Sequence, residues 1–270
     1  MNLEIKPPGA EPIALSPSSP VQAIGHTLPV GFVHLVGAGP GPLDLLTLRA
    51  VRCLEQAEVL IYDRLVDPAV LETVPATCLR IYAGKASGHH PLPQAEINRL
   101  MVEQASLGKR VVRLKGGDPN VFGRAAEETA ALNEAHIPFD VVPGVTAASS
   151  SAAAAGFSLT HRDLSHSCVF LAGHGAIGPL DYDWPALAKP QQTRVFYMGV
   201  ERLKLIGEKL IEHGLSPNTP AALIYAAQGE QQEIIACPLD HLMALNPGYR
   251  STPGLLVIGE TVQLSPNFKA

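Results

Sequence analysis

Two charged side chains stand just past short apolar runs: Asp63 follows "VLIY" and Lys85 follows "RIYAG". A carboxylate so placed can accept a proton, and a lysine at the same sheet edge as that carboxylate stands out from a merely solvated one. Each also has a plainer role. An Asp there caps a following helix or binds a ribose hydroxyl, and a Lys between Gly84 and Gly88 can simply be solvated. Their company sets them apart. Gly37, Gly39 and Gly41 in "VGAGPG", Gly116 and Gly117 in "RLKGGDP", and Gly144 in "VPGVTAAS" also follow apolar runs. Bare main chain at successive strand ends suits a ligand pressed against backbone, and their concentration in one half of the chain predicts a compact cofactor cleft. Asp118 and Pro119 fit an N-cap and a first helical residue, whereas the two preceding glycines are unexplained by capping. Arg124, a turn or two beyond, is placed to reach an anion.

Other chemistries are excluded by spacing. The glycines at 37, 39 and 41 put Pro42 where a dinucleotide loop needs a third small residue, and Lys85 lacks the upstream glycine of a nucleotide-triphosphate loop, so no pyrophosphate is cradled. His161, His166 and His174 form no metal-binding pair, and no metal is expected. No G-x-S-x-G elbow occurs, and Ser149 to Ser151 lie in an alanine-rich helix. Met198, after "VFY", is either core filler or a thioether facing a sulfonium or an apolar ring.

These residues need a sheet to hold them. Strands are predicted at 32–36, 59–62, 111–114 and 139–142, with helices at 45–56, 94–107 and 124–135 between them. That alternation is the βαβ pattern of a largely parallel sheet, whose ligands bind at the strand carboxyl ends. After residue 142 the small-residue run "PGVTAASSSAAAAG" joins two halves. The second half carries strands at 168–172, 194–197, 221–225, 233–236 and 255–258 and a helix at 201–213, an excess of strands that predicts a mixed sheet. At 270 residues the chain is long enough for two compact domains or one large α/β unit. The expected division is a disordered tail over 1–30, one domain over 31–146 and a second over 147–270.

Composition narrows the partners. A net charge of −5 with only 20 Lys and Arg argues against a nucleic-acid surface, and no apolar run is long enough to span a membrane. Cys53, Cys78, Cys168 and Cys237 lie far apart with no C-x-x-C pair, which reads as reduced thiols. The first 30 residues resemble neither a signal peptide nor a transit segment, so a cytoplasmic location is expected.

Taken in order from about Val33 to Gly259, GAGPG, YDRLV, GK followed by GHH, RLKGGDP with VFGR, VPGVTAAS, LTHRD, Gly173-His174, FYMG and TPGLLVIG resemble the uroporphyrinogen-III C-methyltransferases of the tetrapyrrole methyltransferase family. The resemblance implies two α/β domains of the tetrapyrrole methylase type with the active-site cleft between them, and a homodimer. It implies two successive methyl transfers from S-adenosylmethionine to uroporphyrinogen III, giving precorrin-2 by way of precorrin-1 and releasing S-adenosylhomocysteine. By motif, the methyl donor would contact Pro40, Gly116, Gly117, Asp118, Val121, Thr146, Ala147, Met198, Ala227, Pro253 and Gly254. Asp63 would be the proton acceptor and Lys85 the proton donor. Arg124, Glu127, His174 and Met198 would lie at the tetrapyrrole site, with Arg124 and Glu127 among the catalytic groups. Arg113, Arg124, Arg162 and His174 are the cations expected to meet the substrate's carboxylates. The chain departs from the family pattern at Pro42-Leu43-Asp44, Ala86, Asn120, Ala125, Ser158 and Ala227. The extension before the first motif is too short for the dehydrogenase and ferrochelatase module some relatives carry, so methyl transfer alone is expected.

Overall fold

A computed structural model describes residues 31–84, 92–173, 180–245 and 252–270. The tail expected over 1–30, the proton donor expected at Lys85 and the substrate contact expected at His174 lie outside these residues.

The first half holds β1 (Phe32–Gly37), α1 (Leu48–Glu55), β2 (Val59–Tyr62), α2 (Pro68–Leu71), β3 (Leu79–Tyr82), α3 (Gln94–Ser106), β4 (Arg110–Lys115), α4 (Ala125–Glu134) and β5 (Phe139–Val142). All strand pairs are parallel, in the order β3-β2-β4-β1-β5. Buried Val, Leu and Ile alternate to both faces of this sheet. Val36, Leu60, Val112 and Leu114 pack beneath α1, while Val33, Leu35, Ile61 and Val111 pack against α3 and α4. The helix expected from residue 45 begins later. Pro42 opens a 3-10 turn at Leu43–Leu45, and α1 starts only after Thr47, whose hydroxyl accepts from Ala50 N.

The second half holds α5 (Ala147–Ala155), β6 (Ser167–Ala172), α6 (Trp184–Leu187), β7 (Gln192–Tyr197), α7 (Leu203–Glu212), β8 (Pro220–Tyr225), β9 (Glu233–Pro238), α8 (Leu239–Leu245) and β10 (Gly254–Ile258). Its order is β6-β7-β10-β8-β9, with β6 and β7 parallel and the remaining pairs antiparallel, the mixed sheet the strand excess predicts. The small side chains of α5 let it lie close on this sheet, where Ala148, Ala152 and Ala155 meet Val195, Ala222, Ile224 and Val257. Gly156, at φ 72°, ends that helix in the left-handed conformation that glycine adopts without strain.

Candidate active site

The connection from β1 passes beyond β4 to β2, whereas the connection from β4 passes beyond β1 to β5. Loops leaving two neighbouring strands in opposite directions open a crevice at the carboxyl edge of a parallel sheet. Main chain stitches this one. Gly39 N donates to Gly117 O at 3.2 Å, Gly117 N to Gly39 O at 2.7 Å, and Ala38 N to Lys115 O at 2.7 Å. A Cβ at Gly37 would lie 2.6 Å from both Gly117 O and Gly144 N, and one at Gly144 would lie 2.3 Å from Gly117 O. One at Gly116 would meet the Leu65 side chain at 2.7 Å. Contact with neighbouring segments therefore accounts for the absence of a side chain at Gly37, Gly116 and Gly144. Gly117 is different. It sits at φ +69° with nothing nearer its Cβ position than Ala147 N at 4.0 Å, so there is room beside it although its N–H and C=O are both bonded to Gly39.

Asp118 does not cap a helix. Its carboxylate spans two loops, accepting from Asn120 N at 2.8 Å and Gly144 N at 3.1 Å. The chain then turns through Pro119 to Gly123, and α4 begins at Ala125 behind Arg124, itself left-handed at φ 59°. The Arg124 guanidinium grips Glu127 through both carboxylate oxygens, at 2.7 and 2.6 Å, and holds that carboxyl below its ordinary range. Both side chains are exposed at the mouth of α4.

Asp63 sits at the end of β2 in a partly exposed position, and Arg113 Nη2 donates to its Oδ1 at 2.7 Å. Arg113 is almost wholly buried, which overturns its expected role as a substrate contact: its charge is committed inward. Arg113 Nε lies 3.0 Å, Lys115 Nζ 2.7 Å and Gln94 Nε2 3.2 Å from the same oxygen, Oε1 of Glu128. Glu128 is fully buried. Burial pushes the Lys115 ammonium below its ordinary pKa, and the like charge of Arg113 adds to that shift. Sequence reasoning passed over Lys115 and Glu128. Glu128 shares the buried stripe of α4 with Ala125 and Leu132, so the available signal was a carboxylate at an apolar helical position.

Opposite these loops stands the end of β7. Met198 follows it at φ 56°, with its side chain 45 % exposed. Ala226 N donates to Pro253 O at 3.2 Å, and Gly254 pairs with Tyr225, which joins Ala227 to Pro253 and Gly254. Gln228 Nε2 reaches Ser150 O on α5 at 3.4 Å. The two halves meet directly at Tyr197, whose hydroxyl lies 2.6 Å from Thr146 Oγ1 and whose ring centre lies 4.8 Å from that of Phe122. Phe170, exposed on β6, flanks the same ring at 5.8 Å.

Contacts thus tie Gly117 to Gly39, beside Pro40 and Gly116, and Asp118 to Gly144; Tyr197, next to Met198, meets Thr146 and Phe122, next to Val121; and Pro253 and Gly254 pair with Ala226 and Tyr225, beside Ala227. Tyr197, Phe122 and Phe170 were not singled out from sequence, although the first two lie inside the FYMG and VFGR motifs. A surface groove of about 460 Å3 between the end of α5 and Leu264 holds no titratable side chain and lies apart from these loops.

The chain matches the family model for Tetrapyrrole (Corrin/Porphyrin) Methylases over residues 33–243. It is 49% identical over 235 residues to a siroheme synthase of Nitrosospira multiformis, covering 87% of this chain and 50% of that protein. The chain therefore spans about half the length of the curated relatives it matches. Among solved structures it is similar to the uroporphyrin-III C-methyl transferase of Thermus thermophilus complexed with S-adenyl homocysteine, at 38% identity and a TM-score of 0.73 over 86% of this chain and 93% of that one. It is also similar to a cobalt precorrin-4 methyltransferase, a cobalamin biosynthetic enzyme, at 26% identity and a TM-score of 0.76 over 88% of this chain and 99% of that one.

Proposed function

Because the chain belongs to the tetrapyrrole methylase family, we propose that it is a C-methyltransferase that carries two methyl groups in turn from S-adenosylmethionine to ring carbons of uroporphyrinogen III. Precorrin-1 is then the intermediate and precorrin-2 the product, which feeds siroheme, cobalamin or heme d1 synthesis; the siroheme synthases among the relatives favour the first. The observation that carries this reading is the meeting of the interlocked β1, β4 and β5 loops with the end of β7 across one junction, where Tyr197, the residue before Met198, touches Thr146 and Phe122. The donor set suits this methyl donor. Room beside Gly117, the thioether of Met198 and a lack of basic side chains in the β1 loop suit an adenosyl sulfonium rather than a phosphate ester. The β1 loop also does not run directly into α1, since a 3-10 turn intervenes.

When bound, S-adenosylmethionine supplies an activated methyl group, and transfer then depends on in-line placement against the ring carbon. The chain's own task is placement and proton removal. Asp63 takes the proton that the macrocycle, left cationic by methylation, must lose, with Arg113 fixing Oδ1 so that the carboxylate keeps one orientation. Lys85 donates a proton, and Arg124, Glu127, His174 and Met198 bind the tetrapyrrole. Arg124 and Arg162 offer exposed cations to its carboxylates, each charge-assisted pair contributing up to roughly 1.5–3 kcal/mol where water is excluded. The reading places the domain division at Thr146-Ala147, because α5 packs on the second sheet. A homodimeric assembly and a cytoplasmic location go with it. Among the described residues, no helix is long and apolar enough to cross a membrane.

Incubation with labelled S-adenosylmethionine and uroporphyrinogen III, followed by mass spectrometry, tests the proposal. A gain of two methyl groups supports it; binding without turnover, or hydride transfer, overturns it. Asp63→Asn should lower kcat by about 100-fold, the usual scale for losing a general base, while leaving S-adenosylhomocysteine affinity within twofold. The second reading is a methyltransferase acting later on the corrin ring, favoured by the likeness to the cobalt precorrin-4 enzyme, and 38% against 26% identity ranks it below the first.

A further inference from the structure

Tyr197 has no part in the mechanism above, yet it touches three segments that the mechanism uses. Its hydroxyl accepts from Ala148 N at 3.1 Å and lies 2.6 Å from Thr146 Oγ1. Ala148 is the second residue of α5, and Thr146, at the N-cap, makes no capping bond of its own. A hydroxyl from a strand of the second sheet thus performs the task that a cap side chain normally performs. The phenol ring packs on Phe122, which the β4 loop holds at φ 53°, and the next residue in sequence is Met198 at φ 56°. Left-handed backbone costs a residue with a side chain roughly 1–2 kcal/mol, and here two such residues flank one ring. Strain of this kind persists where surrounding contacts impose it, and the Tyr197 ring is such a contact for Phe122.

We infer that Tyr197 is a positioning residue for the methyl donor, tying the β4 loop, the Thr146-Ala147 junction and Met198 into one rigid frame. The inference rests on the methyl-transfer reading. The phenol oxygen accepts from Ala148 N and shares a second hydrogen bond with Thr146 Oγ1, so one hydroxyl holds both residues at the start of α5. Burial pushes the phenol pKa up, so the group remains a hydroxyl at neutral pH.

Calorimetric titration of S-adenosylhomocysteine into the wild-type chain, Tyr197→Phe, Thr146→Val and the double variant provides the test, with steady-state kinetics beside it. Tyr197→Phe keeps the ring and removes only the oxygen. Its Kd and its KM for S-adenosylmethionine should rise about fivefold, or about 1 kcal/mol, with the KM for uroporphyrinogen III within about twofold of wild type. Thr146→Val should cost less in the Tyr197→Phe background than in the wild type, because the two changes remove one shared bond. Ser265→Ala serves as the structural control. It deletes a bond to Ala155 O at the opposite end of α5 and should lower Tm without changing the Kd. If wild type binds S-adenosylhomocysteine and Tyr197→Phe binds it equally well, or the two changes are additive, the inference fails and the methyl-transfer reading stands. If wild type does not bind it, both fall.

Discussion

Glu128→Gln isolates the buried charge cluster behind Asp63. Wild type places two cations, Arg113 and Lys115, against one fully buried carboxylate, with Asp63 completing the neutral set from the edge. The amide keeps the size and, with its oxygen in the place of Oε1, the acceptor that all three donors share, but it removes the charge. Breaking a buried pair by neutralising one partner costs about 3–5 kcal/mol, because the remaining charge stays desolvated. Relief comes from Lys115, whose ammonium already lies below its ordinary pKa and loses in the variant the attraction that had raised it. A lysine with a depressed folded pKa binds fewer protons than its unfolded counterpart between that pKa and its ordinary value near 10.5. Stability therefore rises with pH across that window, and the window is wider in the variant. The loss should be about 3 kcal/mol at pH 7 and smaller at pH 9. Urea unfolding followed by circular dichroism measures it: with a slope of roughly 3 kcal/mol per molar, the midpoint falls by about 1 M. Trp184, the single tryptophan, lies in the core of the second sheet, so its fluorescence moves with the variant only as far as the two halves unfold together. A midpoint shift below about 0.3 M at pH 7, or a loss that grows from pH 7 to 9, would refute the reasoning.

The interlocked loops predict an unequal pair of glycine variants. Gly144→Ala drives a methyl group to 2.3 Å from Gly117 O and 2.9 Å from Gly37 Cα, both backbone atoms, and should lower stability by about 3 kcal/mol. Gly117→Ala meets no such contact and should cost only about 1 kcal/mol of left-handed strain; equal losses in thermal unfolding would contradict the stitched crevice. Asp140 gives a pH test elsewhere in the first sheet. Burial raises its pKa, but bonds from His34 Nδ1 at 2.6 Å and from Arg49 outweigh that and leave it below the ordinary 3.8. Its contribution is complete above that ordinary value and vanishes as pH falls through the depressed folded one. Asp140→Asn should thus cost about 1–2 kcal/mol at pH 7 and progressively less as pH falls below the ordinary 3.8, as acid titration of the urea midpoint would show.

The sheet was legible in sequence because its strands are apolar runs whose length and flanking glycines identify them without partners; β2 and β5 fall on the expected residues. What misled was local chemistry satisfied at a distance. Asp118 before Pro119 carries the ordinary signature of a helix start, yet its second oxygen is taken by an amide 26 residues on, and the chain turns instead. Arg113 reads as a cation next to glycine loops, and nothing nearby in sequence indicates that its partners stand 15 residues ahead and 50 behind. The same holds at Thr146, where a cap residue is present and the capping oxygen comes from 49 residues away. Each of these contacts ties a loop end to another element, so the residues whose roles sequence could not fix are those that set the loops' relative positions. On the proposed methyl-transfer reading, where the rate depends on how the methyl group is held, residues of that kind matter as much as the Asp63 proposed to take the proton.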